Sequence, residues 1–123
     1  MILVDSSVWI GHLQKPNDAL SEYLETPEAL MHPLVLGELV CGLFARRETQ
    51  LRLWRSFPQA PLHPHDAVID WIESERLMGR GIGFTDAHLL YSTLHRSEAR
   101  LWTADKRLEK LAVRFGVAHP SLD

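Results

Sequence analysis

Cysteine is nearly absent: Cys41 stands alone in 123 residues. One thiol excludes an intramolecular disulfide and a cysteine metal cluster, and it suits a reducing, cytoplasmic setting. Long apolar runs are missing as well. The longest, residues 34–45, is interrupted by Glu38 and is too short to span a bilayer, so no membrane role is expected. The chain reaches Asp5 after only three apolar positions and has no basic leader, which is not the pattern of a signal peptide. A basic excess is lacking too. The chain has 13 Lys and Arg against 16 Asp and Glu, a formal net charge of −3, and this at first argues against a nucleic-acid partner.

What is present is enough for a folded core. Hydrophobic residues make up 46% and charged residues 24%, near the norm for globular chains, and the length fits one domain spanning residues 1–123. Ile2-Leu3-Val4 is a continuous apolar run of the kind buried on both faces of a parallel sheet. Asp5-Ser6-Ser7 offers caps for a helix with Val8, Trp9, Ile10 and Leu13 on its apolar face. Pro16-Asn17-Asp18 breaks that helix and starts another over 19–25, and 29–31 reads as a second strand.

Pro33 opens a helix expected to run to 46. Its positions are apolar or small nearly all round, which predicts burial. A basic amphipathic helix is expected over 47–56, a short strand over 61–63, and a helix over 66–78 with Val68, Ile69, Ile72 and Leu77 inward. The glycine-rich stretch 79–83 is a loop, and Thr85 is the expected cap of the next helix. Residues 101–103 form a strand, 105–115 a helix ended by Gly116, and 117–119 a last strand. Strands alternating with helices predict an α/β fold, a mainly parallel central sheet in a three-layer α/β/α sandwich.

Four acids occupy telling places. Asp5 and Asp105 follow strand ends, where ligands of open α/β sheets bind, and Asp86 can join them from a helix start. Each also has an ordinary explanation as a helix cap or dipole partner. Glu38 is different, being the only charged residue between His32 and Arg46 in a helix expected to be buried. An unpaired buried carboxylate costs on the order of several kcal/mol, so it calls for an arginine partner or a metal. Oxygen ligands without cysteine suit Mg²⁺, with Mn²⁺ as a substitute. Setting these four aside leaves twelve acids against thirteen basic residues, so the rest of the molecule is close to neutral and does not exclude RNA. His88, close to Asp86, is a candidate substrate contact. Arg46 and Arg80, beside the Glu38 helix and in the glycine-rich loop, are candidates for phosphate. A solvated charge is the ordinary reading of each arginine.

These residues fall into a familiar order. Val4-Asp5-Ser6-Ser7-Val8-Trp9-Ile10 resembles the opening of PIN-domain ribonucleases, especially the VapC-type toxins of bacterial toxin–antitoxin pairs. Gly37-Glu38-Leu39, Gly83-Phe84-Thr85-Asp86-Ala87-His88 and Thr103-Ala104-Asp105-Lys106-Arg107-Leu108 are similar to the three motifs that follow in that family. The resemblance covers essentially the whole chain. It implies a metal-dependent endoribonuclease with Asp5, Glu38, Asp86 and Asp105 as metal ligands. Ser7 and Thr103 would be the hydroxyls that orient them. It also implies a small cognate antitoxin and a homodimer. Four tryptophans, Trp9, Trp54, Trp71 and Trp102, are many for one small core, and an exposed one would mark an interface. Two rival readings stand beside it. One is a PIN domain that binds RNA or protein without cutting. The other is a phosphatase with Asp5 as nucleophile, against which stand Ser7 where a second aspartate is wanted and a scarcity of lysines.

Overall fold

A computed structural model describes residues 1–120. Its first strand, β1 (Ile2–Val4), lies between β2 (Ala29–Leu30) and β3 (Arg100–Trp102), and both pairings are parallel. A central strand needs apolar side chains on both faces, and Leu3 and Val4 are fully buried. Two single bridges widen the sheet. Gln59 pairs with Met31 beyond β2, and Ala118 pairs with Leu101 beyond β3. The expected strand at 61–63 is thus a bridge at Gln59, nearer the preceding helix. The expected strand at 117–119 is reduced to one bridging residue.

Among the described residues, seven helices connect and flank these strands: α1 (Ser6–Gln14), α2 (Asp18–Leu24), α3 (Pro33–Val40), α4 (Arg47–Ser56), α5 (His65–Glu75), α6 (Phe84–Leu94) and α7 (Lys106–Arg114). From β1 the chain moves outward through β2 to Gln59, then crosses back to β3 and on to Ala118. Parallel crossovers are right-handed, so the two directions of travel put α1–α4 on one face and α5–α7 on the other. The aromatic contacts agree. Trp9 of α1 meets Trp54 of α4 edge-on at 6.1 Å, while Trp71 of α5 packs on Tyr91 of α6 and Phe115 after α7. This is the three-layer arrangement. No helix among the described residues is long and apolar enough to cross a membrane.

The helix carrying Glu38 departs from expectation. It stops at Val40, and its last turn is tied off by the next helix, since the Arg47 guanidinium donates to the carbonyls of Val40 and Gly42 while lying over the Phe44 ring. Arg46 then enters α4 in the left-handed region, with φ 54°. The residues thought to prolong a buried helix instead form an exposed link, and Leu43 stands wholly in solvent. The tryptophan expectation is also corrected. Trp9, Trp54 and Trp102 are buried, and Trp71 is half-buried under its aromatic neighbours, so none is the exposed tryptophan expected. The exposed large apolar side chains are others, among them Leu43, Leu62, Met78 and Phe84.

Trp54 is fully buried, and its ring N–H, like that of Trp9, has no hydrogen-bond partner among the described residues. Truncation to alanine should cost about 3–5 kcal/mol. Trp54→Phe deletes an unsatisfied donor with much less volume, so it should cost under about 1.5 kcal/mol. Urea unfolding of the two variants checks this, and equal losses would mean that the indole N–H does have a partner.

Candidate active site

Parallel pairing sets Val4 opposite Trp102, so β1 and β3 end side by side. The Asp5 amide donates to the Trp102 carbonyl at 2.9 Å and fixes the residue at that edge. The residue is 5% exposed. One oxygen, Oδ2, accepts from the Ser7 and Thr103 hydroxyls, both at 2.7 Å, and Oδ1 accepts from the Ser6 amide at 2.8 Å. The hydroxyls are in turn held by backbone. Ala104 N–H donates to Ser7 Oγ and Asp105 N–H to Thr103 Oγ1, each at 3.0 Å. A buried carboxylate surrounded by donors in this way is satisfied and rigid.

Asp105 caps α7, its Oδ1 accepting from the amides of Arg107 and Leu108. Asp86 sits in the first turn of α6 and accepts from the Gly83 amide at 3.1 Å. Gly83, not Thr85, is the cap residue of that helix. Each aspartate therefore has the structural role a capping acid would have. Glu38 has none. It lies mid-helix on the exposed side of α3, so the expected cost of burying it falls away, and with it that argument for a metal.

Electrostatics links the acids pairwise instead. Burial of its surroundings, then Asp5 and Asp86, hold the Glu38 carboxyl above the usual range, and the Ser6 hydroxyl pulls it back. That hydroxyl also stands 3.5 Å from Asp5 Oδ1. Burial also raises Asp86, opposed by the Gly83 N–H and reinforced by Asp5 and Asp105. Asp5 is common to both fields. The donor set is made of hard oxygens, which suits Mg²⁺ or Mn²⁺. Among the described residues, however, no three of His, Cys, Asp or Glu converge into a ready ligand set. Magnesium fits such a site, since it keeps several waters and takes only one or two carboxylates directly.

The other sequence candidates are placed differently. His88 is fully buried: its Nε2 lies 2.8 Å from His65 Nδ1, and its Nδ1 finds no partner among the described residues. The expected substrate contact is corrected to a core position. His32 lies behind it, its Nδ1 accepting from Leu34 N–H at the start of α3 and its Nε2 meeting Ser92 of α6 at 3.2 Å. Burial, then His88 and His63, press His32 down to about 4. Local pattern held no sign of this histidine cluster, because its members meet only through the fold. Arg46 is exposed and shares with Glu38 a cleft of about 390 Å³ that Leu39 and Phe44 also line. Arg80 is exposed and tethered to the Arg76 carbonyl at 3.3 Å. One contact escaped the sequence reading. Gly81, at φ +81°, leaves room for the Arg107 side chain, which a Cβ would strike. The glycine-rich loop and the start of α7 are thereby joined.

Comparison with known proteins completes the description. A family model described as PIN domain matches residues 2–114, from the first residue of β1 to the last of α7. Ribonuclease VapC32, from two strains of Mycobacterium tuberculosis, is 46% identical over 118 residues, covering 96% of this chain and 95% of that one. The crystal structure of PAE2754 from Pyrobaculum aerophilum superposes with a TM-score of 0.59 over 94% of each chain. Its 20% identity makes it evidence for the fold alone. The match from β1 through α7, with a near-full-length relative at 46% identity, places this chain in the PIN-domain family.

Proposed function

We propose that the protein is a metal-dependent endoribonuclease, the toxin of a toxin–antitoxin pair, and that residues 1–123 form one nuclease domain. The observation that carries this reading is the buried Asp5 carboxylate, clasped by two hydroxyls at the sheet edge, with Glu38 and Asp86 in its field. The name of the similar VapC32 supports it. Asp5, Glu38, Asp86 and Asp105 would hold Mg²⁺, for which Mn²⁺ substitutes. When bound, the cation supplies Lewis acidity toward the phosphate and offsets the repulsion between acids and RNA. Asp5 is the fixed member. Ser7 and Thr103 keep its Oδ2 turned, while Oδ1 accepts from the Ser6 amide and, at 3.5 Å, lies near the Ser6 hydroxyl. Glu38, on an exposed helix face, adjusts to the ion. Arg46 and Arg80 are the candidates for flanking phosphates. A cytoplasmic setting, a small antitoxin and a homodimer belong to the same reading.

Purified protein with Mn²⁺ should cleave RNA, and EDTA should stop it. Thr103→Val removes a hydroxyl that orients the ligand and should lower cleavage roughly 10–100-fold. Asp5→Asn should lower it further while leaving the fold intact, because its amide nitrogen can donate to hydroxyls that turn to accept. Cleavage by Asp5→Asn at the wild-type rate would defeat the mechanism.

The raised carboxyls give a second prediction. A raised folded-state value means that the folded chain binds more protons. In EDTA their contribution to stability is full below the ordinary carboxylate range and is lost as pH climbs through the raised values. Asp86→Asn keeps an acceptor for the Gly83 amide and removes one charge. At neutral pH in EDTA it should raise the Tm by a few degrees, about 1 kcal/mol or less given partial exposure. Millimolar Mn²⁺ should raise the wild-type Tm and raise the variant's less. A wild-type Tm indifferent to Mn²⁺ would argue against a cation at these acids.

A further inference from the structure

A groove of about 1020 Å³ opens beside the four acids rather than over them. It begins at Ser7 and Thr103, the hydroxyls that hold Asp5. One wall is the face of α1 that carries Ser7, Gly11 and Lys15 at helical spacing, with His12 next to them. Trp102, Lys106 and His119 line the other. Its charges balance, because Asp18 and Glu109 offset Lys15 and Lys106. A channel that tracks a long nucleic-acid backbone is strongly positive, so this groove is not one. Its size is at the upper end for small-molecule pockets, and its wall holds aromatic rings.

The rings have defined chemistry. His12 Nδ1 accepts from the Asn17 amide at 2.9 Å, so in the neutral ring the hydrogen sits on Nε2 as a donor. Burial lowers both His12 and His119, which favours neutral rings at neutral pH. The His119 ring is propped by Trp102 at 4.8 Å and by the edge of Tyr23 at 5.4 Å, a rigid platform for a flat partner.

We propose that this groove receives one unstacked base of a single-stranded or looped RNA, next to the bond cut at Asp5. The base stacks on His119, turns an acceptor edge toward the His12 Nε2–H, and leaves its flanking phosphates to Lys15 and Lys106. Single-stranded RNA is recognised through splayed bases stacked on aromatic side chains and bonded along their edges, and a neutral groove with a lysine at its margins matches that better than a duplex would. The proposal rests on the ribonuclease reading above and adds to it a base-binding groove and the residues that line it.

The test measures binding of short fluorescent RNA homopolymers, one for each base, to the Asp5→Asn protein with Mn²⁺, where cleavage is suppressed. His119→Ala should weaken all of them by between about fivefold and a hundredfold, and His119→Phe should restore most of the loss. His12→Asn keeps an acceptor for the Asn17 amide but deletes the Nε2 donor, so it should change the order of preference among bases. Lys15→Ala combined with Lys106→Ala should weaken all the oligonucleotides alike and flatten the dependence on salt. Melting curves confirm that each variant folds. Undiminished binding by His119→Ala or by the double lysine variant, while the wild-type chain cleaves RNA, would overturn the groove assignment alone. Failure of His119→Phe to rescue, in a folded protein, would overturn the stacking role. A wild-type chain that cleaves no RNA with Mn²⁺ would overturn the ribonuclease reading, and the groove assignment with it.

Discussion

The Asp5 side chain joins the ends of two strands that are far apart in sequence. Thr103 Oγ1 donates to it from the β3 end, Ser7 Oγ from the start of α1, and the amides of Ala104 and Asp105 steady both hydroxyls. The parallel pairing of β1 with β3 makes this possible, because it brings Val4 opposite Trp102 and lets the chain leave both strands at one edge. Asp105 and Asp86 relate to that edge. α7 begins there under Asp105, and α6 points its first turn toward the same field. An antiparallel neighbour would have sent Thr103 to the opposite end of the sheet. The direction of one strand is therefore a condition for the site.

Structural and chemical roles overlap in these acids. Asp105 and Asp86 satisfy amides at helix starts, as any acid would there. Those bonds fix where their remaining lone pairs lie, and capping becomes a means of aiming. Glu38 has no such tie and remains on an exposed face. Three of the carboxylates are thus held by backbone amides, and the fourth stands on an exposed helix face. Among the described residues they do not close into a ligand cage.

Much of this was legible in the chain because it depends on near neighbours. The run Ile2-Leu3-Val4, the caps at Asp5 and Asp105, and the break at Pro16-Asn17 each depend on residues a few positions away. The third helix was misjudged for the opposite reason. Its apolar pattern continues through Leu43 and Phe44, and nothing local indicates that Arg47 turns back to take up the carbonyls of Val40 and Gly42. Burial of Glu38 was inferred from that continuation and failed with it. The helix buried nearly all round is α6, whose His88, Ser92 and Thr93 disguise it as half polar. His88 read as a surface residue because its partners, His65 and His32, arrive from other elements.

His32 has a consequence for the geometry of the acids. Its ring spans two helices, receiving the Leu34 amide of α3 on one nitrogen and meeting the Ser92 hydroxyl of α6 on the other. Glu38 lies six residues beyond His32 along the chain, and Asp86 lies six residues before Ser92. One fully buried imidazole therefore ties together the two helices that carry these acids. Neither helix can slide along its axis without breaking a bond to that ring. The ring braces from the core two helices whose acids lie nearer the surface.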